Sequence, residues 1–277
     1  MSVFPQFAEQ DKHGGFQQQD ADECFQGILS TVDPALSGQA GSLIEKLFSF
    51  TVRYTWTNTE CPDEPPYETE EVLRRMPCII DNQAHPINQL YEGITAALAG
   101  EVEKRSDVME RDCIYHKIGK VATLPEYLLV QKIRFIWKDK DQGTMAEARK
   151  AKILRAVNFP KILNIDEFSV PELKTQFKEI REKLKTDDEE RHKRVDAEFE
   201  EYKKKNEKSD MDTMKLSKNF KEGRREIELK EHEDRLWHDM ETGKPNGEYE
   251  LVGVITHKGR SADSGHYVGW TQYKGGI

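Results

Sequence analysis

A long charged interruption limits what this chain can fold into. Between residues 172 and 241, Lys, Glu, Asp and Arg dominate, aromatic residues are sparse and glycine is nearly absent. Such a stretch has little apolar surface to bury. Leu184, Phe199, Tyr202, Leu216 and Phe220 are too scattered for a heptad seam. The segment reads as a solvated helical or partly disordered insertion, with a partner-binding coiled coil as the alternative. A core therefore has to come from the flanks, and the expected regions are 1–171, the insertion 172–247, and 248–277.

The flanks carry both structural periods. In QQQDADECFQGILSTV (17–32), Ala21, Cys24, Phe25, Ile28, Leu29 and Val32 share one helical face. Asp20 is placed to cap that helix, Glu23 to complete a capping box, and Pro34 to end it. FSFTVRYTWT (48–57) alternates strictly, as a half-buried antiparallel strand does. A Pro- and Glu-rich loop leads to a second strand near 71–80, and a helix is expected over 87–104. EYLLVQKIRFIW (126–137) gives the strongest strand signal, apolar on both faces at its start, as inside a sheet. EYELVGVITH and GHYVGWTQY read as a hairpin joined by KGRSADS. The class is α+β.

Charge and cysteine usage narrow the function. A net charge of −9 argues against a general nucleic-acid binder. No apolar run reaches membrane-spanning length, and the N-terminus has no signal-like pattern, so a soluble intracellular protein is expected. Cys24, Cys61, Cys78 and Cys113 form no C-x-x-C pair, so neither a metal site nor a redox motif is written, and no cofactor is expected. Reduced thiols suit this spacing.

His266 is the chain's only histidine directly preceded by a glycine, and it opens the second strand of the hairpin. Neutral imidazole can take a proton from a thiol or hydroxyl and return it to a leaving amine. The absent side chain of Gly265 would let an extended backbone approach. A structural histidine bonded to a loop carbonyl is the alternative. No nucleophile completes the set: Cys24 faces the helix core, Cys61 precedes a proline, Cys78 lies in a strand, and Cys113 sits among charges.

Four segments together resemble the ubiquitin-specific protease family of cysteine deubiquitinases, in the family's order. FPQFAEQDKHGGFQQQDADECF (4–25) is similar to its Gln-Gln-Asp box, LPEYLLVQKIRFIWK (124–138) to the central palm strand, VNFPKILNIDEF (157–168) to the segment after it, and LVGVITHKGRSADSGHYVGW (251–270) to the histidine box. The serine-containing loop is most similar to that of the proteasome-associated branch. The resemblance implies a papain-like hand: thumb remnant, fingers and palm strands in 1–171, the insertion in 172–247, and a palm hairpin in 248–277. It assigns His266 as the catalytic histidine. Gln19, Asp20, Gly259, Arg260, Ser261, Ser264, Gly265 and Tyr267 would line the substrate channel.

The activity implied is thiol-dependent hydrolysis of isopeptide bonds at the C-terminal glycine of ubiquitin. Ubiquitin conjugates and the 26S proteasome would be the partners, in the cytoplasm or also the nucleus, with no metal, nucleic acid or membrane. The family's Gly-Asn-x-Cys stretch and the Asp or Asn that follows the histidine box are not found in 1–277. The expectation is a domain truncated at both ends, or an incomplete gene model, inactive alone. A non-catalytic ubiquitin- or proteasome-binding fragment is the alternative.

Overall fold

A computed structural model describes residues 4, 14, 20–37, 42–80, 86–138, 149–206, 220–230, 245–259 and 265–272. The chain divides into two compact units: Met1–Val170 with Glu248–Ile277, and Pro171–Gly247.

The larger unit opens with α1 (Ala21–Leu36), capped by the Asp20 carboxylate, which accepts from the Asp22 N–H at 2.8 Å. The helix outlasts Pro34 by two residues. A proline in the last turn forfeits only one backbone bond, and the Ser37 N–H still closes on the Asp33 carbonyl at 2.8 Å. The expected apolar face is only partly covered: Leu29 is buried, while Ile28 is 44 %, Val32 38 % and Leu36 45 % exposed. Cys24, read as buried, is half-buried. A short helix not anticipated from the sequence, α2 (Leu43–Phe48), follows, so Phe48 ends a helix rather than starting a strand. Its ring packs edge-on against Phe25 at 5.8 Å and tilts over Tyr127 at 5.8 Å, tying α2 to α1.

A four-stranded antiparallel sheet comes next, in the order β2 (Tyr67–Leu73), β1 (Phe50–Asn58), β5 (Arg111–Val121), β4 (Ala99–Ser106). The alternation of β1 holds: Phe50, Val52 and Tyr54 are buried, and Val52 and Tyr54 pair with Val121 and Gly119 of β5. The predicted strand over 71–80 is two strands, β2 and β3 (Met76–Ile79), separated at Arg74 and Arg75. The predicted helix over 87–104 is α3 (Leu90–Leu98) followed by β4. The chain turns extended at Ala99, just before Gly100, and β4 then hydrogen-bonds along β5. The strong 126–137 signal also splits. β6 (Val130–Ile133) pairs in parallel with β3, and β7 (Phe135–Lys138) pairs with β8 (Arg149–Lys152). Each lies in a two-stranded sheet rather than inside a larger one. α3 covers β3, with Leu90, Ile94 and Leu98 buried.

At the far end of the four-stranded sheet, Glu64 is a polar hub. Its carboxylate accepts from Tyr115 Oη at 2.5 Å and from Asn58 Nδ2 and Ser106 Oγ at 2.7 Å each. These donors, Tyr115 first, hold the carboxyl below its ordinary value. A lowered folded value contributes stability above the ordinary carboxylate range, and that contribution is lost as pH falls through the lowered value. Glu64→Gln is therefore expected to lower Tm at neutral pH and to flatten the acid limb of a plot of Tm against pH. Superimposable plots for variant and parent would contradict the hub.

β9 (Ile162–Asn164) and a 3-10 turn (Asp166–Phe168) close this part of the chain. The chain later returns as β10 (Glu248–Glu250), antiparallel to β9, and then forms β11 (Gly253–Lys258) and β12 (His266–Thr271). The smaller unit contains α4 (Pro171–Asn206) and α5, residues 220–230. Phe199 and Tyr202 of α4 each meet Phe220 edge-on at 6.4 Å. Gly223 lies against the Tyr202 ring, and Arg224 bridges Asp196 at 3.1 Å and Glu228 at 2.9 Å. Phe199, Tyr202 and Phe220 thus form one local cluster rather than a continuous seam.

Candidate active site

The hairpin expected around His266 is present. β11 and β12 pair antiparallel in the register Lys258↔His266, His257↔Tyr267 and Val254↔Trp270. His266 is the first residue of β12 and is exposed. The backbone just before it is closely packed. Gly265 has φ +155°, and a Cβ there would stand 2.3 Å from the Lys258 carbonyl oxygen and 2.5 Å from His257 Nε2. Only glycine fits that space.

Tyr267 docks the hairpin onto the start of α1. Its phenol lies close enough to the Ala21 backbone N–H for that group to favour the phenolate. Burial chiefly, and then the nearby carboxylate of Asp20, push the phenol up from its ordinary value. Asp20 also acts on His257, whose ring lies 4.9 Å from that of Tyr267. The structure thus brings together Asp20 from the N-terminal box and Gly265, His266 and Tyr267 from the C-terminal one. Gly259 stands at the other root of the turn, with φ +138°. Gln19, Arg260, Ser261 and Ser264 lie outside the described residues.

Asp22, in the first turn of α1, anchors the same end. Its Oδ2 accepts from Gln131 Nε2 at 2.9 Å and pairs with Arg75 Nη1. Two further residues of the site were missed in the sequence. Lys152 of β8 places its ammonium against His257 Nδ1 at 2.9 Å, the His257 carbonyl at 2.9 Å and the Gly259 carbonyl at 2.7 Å. His257, near the end of β11, has its pKa lowered, by burial first and by Lys152 second. No local pattern points to Lys152, since its partners are more than a hundred residues away in the chain.

The thiols complete the chemical inventory. All four are free. Cys61, Cys78 and Cys113 are buried, and burial pushes the Cys78 thiol up to about 11 despite nearby Lys132 and Arg134. Cys24 sits half-buried in the first turns of α1. A buried thiol with a raised pKa is a poor nucleophile. The arrangement offers an exposed imidazole beside Gly265, able to shuttle a proton.

Comparison with known proteins supplies a context for this geometry. The family profile described as ubiquitin carboxyl-terminal hydrolase matches residues 2–276. Ubiquitin carboxyl-terminal hydrolase 6 of Schizosaccharomyces pombe is 34 % identical over 96 % of the chain and 54 % of its own length. Its Arabidopsis thaliana namesake is 34 % identical over 99 % of the chain and 54 % of its own length. Ubiquitin carboxyl-terminal hydrolase 14 of Caenorhabditis elegans is 30 % identical over 96 % of the chain and 48 % of its own length. The chain thus spans about half the length of the curated relatives it matches. A solved structure of the SAGA Ubp8/Sgf11/Sus1/Sgf73 DUB module bound to ubiquitin aldehyde shares the fold, with a TM-score of 0.54 at 16 % identity. That match covers 95 % of this chain and 44 % of the other.

Proposed function

The chain belongs to the ubiquitin carboxyl-terminal hydrolase family, and from that premise we propose that it carries the acid–base half of a thiol-dependent deubiquitinase acting at the C-terminal glycine of ubiquitin. The observation that supports this most is the closeness of Tyr267 in the β11–β12 hairpin to Asp20 and Ala21 at the N-terminus of α1, with His266 exposed next to Gly265. In the reaction, His266 takes the proton of a cysteine thiol. The sulfur attacks the glycine carbonyl carbon, the C–N bond of the isopeptide breaks, and the imidazolium returns the proton to the departing lysine amine. Water then hydrolyses the thioester and restores the thiol.

None of the four cysteines is set up as that nucleophile, so cleavage by the 277-residue chain alone is not expected. The chain is expected to bind ubiquitin without hydrolysing a fluorogenic ubiquitin amide. Titration with labelled ubiquitin checks the first part, and no binding at high micromolar protein would sink the reading. Cleavage abolished by Cys24→Ala would instead identify Cys24 as the nucleophile and overturn the assignment of the thiols.

The finer placement is in the proteasome-associated branch, in the cytoplasm and nucleus. The likeness of residues 259–265 to that branch supports it, as does the relative named ubiquitin carboxyl-terminal hydrolase 14. Co-sedimentation with purified 26S proteasomes tests it, and a chain that stays wholly in the unbound fraction would remove it.

A further inference from the structure

We propose that Lys152 is the positioning residue of this site: its ammonium bolts the root of the histidine turn to β8 and fixes His257 as a neutral Nε2–H imidazole beneath Gly265, which sets where His266 begins its strand. The proposal rests on the reading of His266 as the proton shuttle.

The donor arithmetic carries the first step. An ammonium has three N–H donors and no acceptor. Lys152 Nζ has three partners within hydrogen-bond distance: the Gly259 carbonyl at 2.7 Å, and the His257 carbonyl and ring Nδ1 at 2.9 Å each. The two carbonyls can only accept. The third donor therefore meets Nδ1 as an acceptor, which requires the proton of a neutral His257 ring to sit on Nε2.

The second step is steric. The Nε2–Cε1 edge of the ring occupies the space where a Gly265 side chain would begin, at 2.5 and 2.8 Å from an ideal Cβ. The ring is thus the floor under the residue just before His266. Because His257 pairs with Tyr267 and Lys258 with His266, holding His257 and the Gly259 carbonyl fixes both strands where the turn starts. β8 is held in turn through Arg134, whose Nη1 donates to the Ile153 and Arg155 carbonyls at 2.9 Å each.

The charges that face His257 agree with this protonation state. Lys152 on β8 opposes a second positive charge, and burial does the same, while Asp20 at the start of α1 works weakly the other way. The Tyr267 ring on β12 closes the remaining side. A lysine that merely filled space would leave the tautomer undetermined.

The test is imidazole 15N–1H spectroscopy of the full chain. At pH 7.5 the parent is expected to show His257 as a single neutral Nε2–H tautomer, with its titration midpoint below that of an unperturbed histidine. In Lys152→Met, which keeps the length but not the donors, the two tautomers mix and the midpoint moves up. The cross-strand proton contacts between Lys258 and His266 weaken, and Lys152→Arg, which can still donate to the two carbonyls, recovers these contacts. An Nδ1–H tautomer or a charged ring in the parent overturns the proposal whether or not the variants fold. So does a folded Lys152→Met chain with unchanged tautomer and midpoint. None of these readings depends on ubiquitin, so a failure here is separable from a failure to bind it.

Discussion

A Gly93→Val chain is expected to melt far below the parent, with a loss of about 3 kcal/mol or more. Gly93 lies on the buried face of α3, where the helix rests on β3. A Cβ at this position would stand 2.4 Å from the Ile79 carbonyl oxygen and 2.5 Å from Cys78 Sγ. The sulfur can rotate away, but the carbonyl belongs to a strand held in register with β6. Leu90, Ile94 and Leu98 are buried on both sides of the contact, so the helix cannot lift without uncovering them. Combining Gly93→Ala with Cys78→Ala separates the two obstacles. The double variant is expected to recover only the smaller part of the loss, because the backbone oxygen remains. A Gly93→Ala chain that melts within about 2 °C of the parent would contradict the close packing of α3 on β3.

Gly265→Ala is expected to have the next largest effect, and a local one. The added methyl meets the Lys258 carbonyl at 2.3 Å and the edge of the His257 ring, in a backbone conformation that side chains rarely adopt. Neither obstacle moves freely: the carbonyl is part of the hairpin, and the ring is gripped by Lys152. The strand ends must separate, at a cost of about 2 to 3 kcal/mol for that part of the structure. The signature is faster hydrogen exchange in β11 and β12 with the four-stranded sheet unaffected, and weaker binding of ubiquitin in the same titration that tests the parent. In a chain supplied with its nucleophile, a displacement of about 1 Å at His266 is expected to cost about a hundredfold in rate. Unchanged exchange in both strands would mean that the turn tolerates a side chain.

The sequence made some of these elements legible and hid others, and the difference follows the physics. β1 was readable because one face is buried and the other is not, which writes a period of two; the β11–β12 hairpin, with no buried residue in either strand, was readable from a weaker alternation around its glycines. β5 carries the same signal in Cys113, Tyr115, Gly119 and Val121 but went unread, since the exposed Ile114 and Ile118 blur the alternation. β4 shows no alternation: of its eight residues only Ser106 is buried, and its place is decided by hydrogen bonding to β5. The EVEKR composition within it suits a helix equally well, and the tertiary context settled the matter. At the site, Asp20, Gly265, His266 and Tyr267 were findable because each sits within a short motif. Lys152 was not, because a lysine that serves two carbonyls and an imidazole from a distant strand leaves no local trace.

The pairing of β9 with β10 has a practical consequence. Asn164 faces Glu248, so the strands that precede and follow the helical unit are already hydrogen-bonded neighbours. Residues 171–247 therefore behave as a removable cassette between two clamped ends. Loop entropy grows only slowly with length, at about 0.6 kcal/mol per doubling, so swapping the cassette for a short flexible tether, or for a reporter domain with adjacent termini, leaves the histidine hairpin where it is.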